Sequence, residues 1–388
     1  MHNVSPIVRI GIVAGEHSGD LLGSGLLREL NKQLPKLEVR GICGPLMRAQ
    51  GCQQMYAMER ISVMGLDGLA EKLFDIVKIR KSLVDQFSAD PPDLFIGIDV
   101  PDFNITLEHK LRRRGIPVIH YVSPTVWAWR GYRIHKISRA VDHMLTLFPF
   151  EADYYRKHHV PVSFVGHPMA DEIGSPMAMN IARTKLGLDP DKPLVAILPG
   201  SRMSEIRRLG LIFIRTANWL LKRNPELHFI APFVDERSEA YFRRLLAKER
   251  QDLPITSQVG QSHQAMAAAD VVILASGTAA LEAALLRRPM VVAYRISWLS
   301  YFLVRWFAHV DFYSMPNHLA GKQLVPELMQ ANAEPEKIGR AVERYFKDAA
   351  AITEVQQAFA HMHSELKRGA HGRAAAVVCE MLRADNGI

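Results

Sequence analysis

Short, uninterrupted apolar runs alternate with amphipathic stretches along the first half of the chain: Val8 to Ala14, Val39 to Cys43, Leu94 to Ile98, Val118 to Val122 and Met144 to Leu147. Runs this brief, rich in β-branched residues and apolar throughout, predict strands buried on both faces, as in a parallel sheet covered by helices. A stretch punctuated by Gly166, Pro168, Gly174 and Pro176 breaks the rhythm. It restarts with Leu194 to Leu198, Leu227 to Ala231, Val271 to Ala275 and Met290 to Tyr294. The restart predicts an α/β protein of two Rossmann-like, doubly wound domains facing a cleft, with ligand between them at the carboxyl ends of the strands. The domains are expected over residues 1–170 and 171–345. Helical periodicity continues from about Pro335, and the helices of 346–388 are expected to pack back toward the N-terminal domain.

At 388 residues the chain exceeds what one core usually serves, which agrees with two domains. Lys and Arg number 48 against 40 Asp and Glu, a net charge of +8, so the surface should attract anions: phosphorylated metabolites, anionic lipid or nucleic acid. The three cysteines, Cys43, Cys52 and Cys379, have no metal-binding or disulfide-framework spacing, and a reducing compartment fits best. Residues Met1 to Arg9 contain no basic segment followed by an apolar one, so export is not expected. Met290 to Val310 is the most apolar later stretch, but Arg295 and Arg305 interrupt it, so any membrane contact should be peripheral.

Four strand-end motifs carry candidate chemistry. Gly15-Glu16-His17-Ser18-Gly19-Asp20 follows the first strand and lacks the spacing of a dinucleotide or P-loop motif. Glu16 suits sugar hydroxyls better than phosphate, while Asp20 or Ser18 could simply cap the helix that follows. In Ile96 to Asn104 a strand runs out into Asp99 and Asp102; Asp99 at the tip is placed to act as a general base, whereas Asp102 reads better as a helix cap. This DxxD spacing is not the DxD of metal-dependent transferases, and neither metal nor cofactor is expected.

Leu198-Pro199-Gly200-Ser201-Arg202 ends a strand on a guanidinium, whose fork of donors matches a diphosphate. Ser276, Gly277, Thr278 and Ala279 open a helix with small residues, so an anion can approach its amides, and Glu282 one turn on could accept from ribose hydroxyls. Each string has a plainer reading as an ordinary turn or a well-capped helix. Asn317, in Met315-Pro316-Asn317, could read a uracil edge or merely satisfy a turn.

Leu66, Leu69, Leu73, Ile76 and Val77 recur at helical spacing, with Arg80 and Lys81 at the far end of the same face. Such a stripe could rest on anionic lipid or pack against the sheet. Trp298, Tyr301, Phe302, Trp306 and Phe307 form a second aromatic-rich stretch with the same two readings.

In order, GEHSGD (15–20), GICGPLM (41–47), MGLDGL (64–69), IGIDVPDFN (96–104), HYVSPTVWAWR (120–130), FVGHPMAD (164–171), LPGSR (198–202), ASGTAALE (275–282) and PNHLAGKQLVPELMQ (316–330) resemble the lipid-A-disaccharide synthase family. The likeness spans nearly the whole chain and implies a GT-B type glycosyltransferase. It implies transfer, with inversion, of acylated glucosamine from UDP-2,3-diacylglucosamine to 2,3-diacylglucosamine 1-phosphate (lipid X), giving a β-1,6-linked disaccharide 1-phosphate and UDP. By the same resemblance Asp99 is the base, Glu16, Arg202, Glu282 and Asn317 serve activity or UDP-sugar binding, and Met64 to Val77 face lipid, although Leu66-Asp67-Gly68 is less continuously apolar than that role implies. The N-terminal domain would then face acceptor and membrane and the C-terminal domain hold the UDP-sugar. The implied setting is the cytoplasmic face of the inner membrane, peripherally bound, with no nucleic-acid partner and room for a homodimer. Two rival readings remain at this point: a UDP-sugar 2-epimerase of similar plan, and a non-enzymatic anionic-lipid-binding module.

Overall fold

The computed structural model describes residues 7–61, 69–129, 131–174, 177–249, 252–296 and 311–386. The chain forms two compact units, 1–171 with 366–388, and 172–365. Of the tail expected to pack on the N-terminal domain, the helix Ala349–Leu366 belongs to the second unit up to Glu365, and the helix Ala370–Asn386 packs on the first.

The first unit holds a seven-stranded parallel sheet of β1 (Val8–Ala14), β2 (Leu37–Cys43), β3 (Cys52–Ala57), β4 (Leu94–Ile98), β5 (Val118–Tyr121), β6 (His143–Thr146) and β7 (Val162–Phe164), in the order β3-β2-β1-β4-β5-β6-β7. The second holds six parallel strands, β8 (Leu194–Leu198), β9 (His228–Phe233), β10 (Ile255–Val259), β11 (Val271–Ala275), β12 (Met290–Tyr294) and β13 (Glu327–Met329), in the order β10-β9-β8-β11-β12-β13. In each sheet the strand order reverses once, between β1 and β4 and between β8 and β11, and the crevice beyond those carboxyl ends is where open α/β sheets take ligand.

Sequence patterning identified the nine inner strands and missed β3, β7, β10 and β13, which are the four sheet edges. The inner β4, β8 and β11 are buried at every position, whereas β10 has none that is fully buried. An edge strand has water on one side, so it carries no continuous apolar signature.

Helices cover both sheets. Those that position the candidate site are α1 (His17–Gln33), α2 (Pro45–Ala49), α3 (Leu69–Ala89), α4 (Pro101–Arg112), α5 (Ile134–Ser138) and α6 (Pro149–Lys157) in the first unit. In the second they are the helices Met203–Leu221, Ser262–Ala268, Thr278–Leu285 and Met315–Ala320. No helix among the described residues is long and apolar enough to cross a membrane.

Candidate active site

In the first unit, Ala14 pairs with Ile98 across the switch point. The Glu16 and Asp99 motifs therefore leave neighbouring strands side by side. Glu16 is exposed and starts α1 in extended conformation. Asp20 does not cap that helix, as the sequence suggested. It is fully buried and accepts from the amides of Gly44, Leu46 and Met47 at 2.9, 2.9 and 3.0 Å, so its carboxylate closes the start of α2.

Asp99 and Val100 both adopt left-handed backbone, with φ of 53° and 43°. That conformation is costly for residues other than glycine and marks a turn that its surroundings must enforce. The Asp99 amide donates to the Tyr121 carbonyl at 2.9 Å, and Asn104 Nδ2 donates to the Asp99 and Ile98 carbonyls at 2.7 and 3.2 Å. The turn leaves Asp99 half-buried at the strand tip.

Behind it, Glu108 Oε1 lies 2.6 Å from His120 Nδ1, with both side chains fully buried. Burial pushes the Glu108 pKa up, against the pull of His120. Glu108 fits only because residue 97 is glycine: a Cβ there would stand 2.0 Å from Glu108 Oε1.

In the second unit Leu198 pairs with Leu274, which brings the Arg202 and Ser276 motifs together at the other switch point. Gly200 has a φ of 125°, and a Cβ on it would meet Glu205 Oε2 at 2.4 Å. Glu205 uses that space to accept from the amides of Ser201 and Arg202 at 3.0 and 3.2 Å. Those amides are thus spent inside the loop. The Ser201 and Arg202 residues themselves are exposed.

Gly277 begins the helix Thr278–Leu285 with no side-chain cap, and Gly277 and Thr278 are exposed, Ala279 half-buried. Uncapped amides at an exposed helix start favour an anion. Ser276 Oγ donates to the Tyr313 carbonyl at 3.1 Å, and Glu282 Oε1 lies 3.1 Å from His263 Nδ1.

Of the two roles open to Asn317, the structure shows the one inside the loop. Asn317 is fully buried; its Nδ2 donates to the Val325 carbonyl and Glu327 Oε1 at 2.9 and 2.8 Å, and its Oδ1 accepts from the amides of Leu324 and Val325, both at 2.8 Å. A side-chain amide has two donors and two acceptor sites, and all four are used. Glu327 also accepts from Tyr313 N, Ser314 N and Ser314 Oγ. Asn317 and Glu327 therefore build the loop that carries Tyr313 to Ser276.

A family model described as lipid-A-disaccharide synthetase matches residues 10–378. The lipid-A-disaccharide synthase of Methylobacillus flagellatus is 46% identical over 375 residues, covering 96% of this chain and 99% of that protein. The chain belongs to the lipid-A-disaccharide synthase family. As a member it is a glycosyltransferase with two Rossmann-like units.

Solved structures of low identity share the fold alone. The UDP-GlcNAc 2-epimerase of Neisseria meningitidis, bound to UDP-GlcNAc, aligns with a TM-score of 0.63 at 13% identity over 97% of this chain and 100% of its own. The calicheamicin glycosyltransferase CalG4 aligns at 0.61 and 15% identity over 98% of this chain and 100% of its own.

For this synthase-family chain, the structure divides the apolar stripe of α3 between water and core. Leu73 and Val77 on α3 are exposed by 52% and 54%, and Phe74, which the spacing did not single out, by 74%. Ile76 turns inward and packs on the core cluster. Arg80 is half-buried and Lys81 exposed. Leu66 and the 297–310 aromatics lie outside the described residues, as does the Leu69 side chain. Sequence reading also missed His263, Asn104, Glu108 and His120. A buried Asn or Glu on a helix signals its role only through the residue it faces, and that residue is distant in sequence for three of the four.

Proposed function

We propose that the chain condenses UDP-2,3-diacylglucosamine with 2,3-diacylglucosamine 1-phosphate, giving the β-1,6-linked disaccharide 1-phosphate and UDP with inversion. The observation that carries the chemistry is the enforced left-handed turn at Asp99–Val100, which leaves a carboxylate at the tip of a central strand. Asp99 takes the proton of the acceptor 6-hydroxyl as that oxygen bonds to the anomeric carbon, on the face opposite the departing UDP. The bond from the anomeric carbon to the diphosphate oxygen breaks, and Arg202 with the Thr278 and Ala279 amides meets the charge that develops on UDP, in place of a metal ion or cofactor. Glu282, oriented by His263, accepts from the ribose hydroxyls, and Glu16 engages the sugar.

Membrane attachment follows the same reading. Leu73, Phe74 and Val77 form an exposed apolar patch beside the exposed cations Lys78 and Lys81, a combination suited to an anionic bilayer surface such as the cytoplasmic face of the inner membrane.

Purified protein given both diacylated substrates should yield a product of disaccharide mass by mass spectrometry. Asp99→Asn should cut turnover by roughly 10²- to 10⁴-fold while UDP still binds. Near-normal turnover in that variant would remove Asp99 from its role. UDP release without lipid acceptor, accompanied by an inverted C2 centre in the sugar, would favour the epimerase reading.

A further inference from the structure

The start of α4 gathers more cations than its carboxylates neutralise. Arg133 pairs with the Asp102 carboxylate. Arg80, reaching over from α3, places its guanidinium carbon 5.7 Å from the centre of the Phe103 ring and donates from Nη1 to the Asp102 carbonyl at 3.3 Å. Burial alone pulls its pKa down, with no carboxylate acting against that pull. Lys136, on α5, donates to a neutral partner, Thr106 Oγ1, at 3.0 Å. Of the three cations along the first turns of α4, only Arg133 meets a carboxylate in these contacts, and the helix dipole adds further positive potential at that end.

Beside Arg133 and Lys136 lies a hollow of about 10 Å³, room for a single water. Pro101, Ile105, Pro124 and Val126 supply apolar walls, and Arg133 and Lys136 line it as well. A sugar ring does not fit inside it, so a phosphate would sit at its mouth, where guanidinium and ammonium groups offer N–H donors to its oxygens. Pro101 is two residues from Asp99, so the hollow adjoins the turn that carries the proposed base.

We propose that Arg80, Arg133 and Lys136 bind a phosphomonoester, that of the acceptor sugar, and so select the phosphorylated acceptor. This deepens the transfer reaction given above and rests on it. The opposite end of the acceptor, its 6-hydroxyl, would then be directed toward Asp99. The same cations could in chemical terms take a phospholipid headgroup, and the test separates the two.

Arg80→Met, Arg133→Met and the double variant should be assayed with saturating UDP-2,3-diacylglucosamine against two acceptors, diacylglucosamine 1-phosphate and the same sugar with a free 1-hydroxyl. Flotation with phosphatidylglycerol–phosphatidylcholine vesicles forms a third arm. The expected result is a KM for the phosphorylated acceptor raised about tenfold or more per guanidinium, with kcat, donor KM and KM for the phosphate-free sugar unchanged. The single variants suffice if the double variant fails to fold, since methionine still covers Phe103.

Equal weakening of both acceptors would overturn the proposal. So would loss of vesicle binding with acceptor selectivity intact, which would assign the cations to a lipid surface. A wild-type enzyme that turns over neither acceptor would instead refute the transfer reaction itself.

Discussion

The side-chain amide of Asn104 donates to the main-chain carbonyl of Asp99 at 2.7 Å, one helical turn into α4. Two consecutive non-glycine residues in left-handed backbone, one of them β-branched, cost on the order of 1–3 kcal/mol each and persist only when held. Asn104 holds them from the helix side and the Tyr121 carbonyl from the sheet side. Asn104 is accordingly a positioning residue. Asn104→Ala should lower kcat by roughly 10²-fold through displacement of the Asp99 carboxylate, with the dissociation constant for UDP unchanged. Calorimetric titration with UDP beside steady-state kinetics would check both; a parallel loss of UDP affinity would point to general unfolding.

Gly97→Ala should be strongly destabilising, although the residue lies in the middle of a strand where alanine is ordinarily harmless. The added methyl would need the position of Glu108 Oε1, and displacing that oxygen breaks its contact with His120. Overpacking costs about 1–3 kcal/mol, and an unpaired buried group adds a comparable amount. Thermal unfolding of this variant beside Gly97→Ala combined with Glu108→Ala is the check: the smaller side chain should recover part of the loss.

At Asn317, the isosteric change to aspartate should do more harm than its size suggests. A carboxylate there would face Glu327 Oε1 at the 2.8 Å now spanned by an N–H donor. Like charges so close cannot both ionise, so Asn317→Asp should lower stability near neutral pH and recover some of it as one carboxyl protonates in acid. Unfolding curves at several pH values would show this; a deficit independent of pH would mean that the loop, not the charge, is at fault.

Glu151 on α6 is buried, and desolvation raises its pKa to about 8 from an ordinary 4.5, despite its bond from the Phe148 amide. Between those values the folded chain keeps a proton that the unfolded chain releases, so this group makes stability fall as pH rises through that window. Glu151→Gln should remove the slope. His167 acts oppositely: burial lowers its pKa to about 4 from 6.5, the unfolded chain takes the proton first, and stability falls as pH drops through that range. Urea titrations of wild type and Glu151→Gln between about pH 5 and 8 would measure the difference. Identical slopes would reassign the pH dependence to other groups.

Serine at Leu73, Phe74 and Val77 together should weaken binding to anionic vesicles while leaving the fold intact, because these side chains are largely in water already. Ile76→Ser should do the reverse, since Ile76 packs on the core. Vesicle sedimentation and melting temperatures for both variants would separate the two faces of α3.

Much of this was legible along the chain. The inner strands declare themselves because burial on both faces requires unbroken apolar runs, and the strand-end motifs follow because glycine turns and short polar residues cluster where those runs stop. Edge strands escaped detection for the converse reason. The candidate site was partly legible: Asp99, Arg202 and the Gly277 helix start all lie at switch points, yet the sequence could not tell a side chain that faces ligand from one that faces the loop. Arg202 and Asn317 looked alike as polar residues near a turn, and the structure leaves one exposed and spends the other on four internal hydrogen bonds.

The sequence by itself determined the two-unit α/β plan, the family and the positions of the motifs, because these depend on local periodicity and on strings of adjacent residues. Tertiary structure alone decided that Asp20 closes α2, that Glu205 occupies the loop amides, that Asn104 secures Asp99 and that Ile76 points inward while Phe74 does not. Each depends on which groups meet once the chain has packed. A polar atom's role is set by the partner it finds when water is removed, and several of those partners lie far away in the sequence.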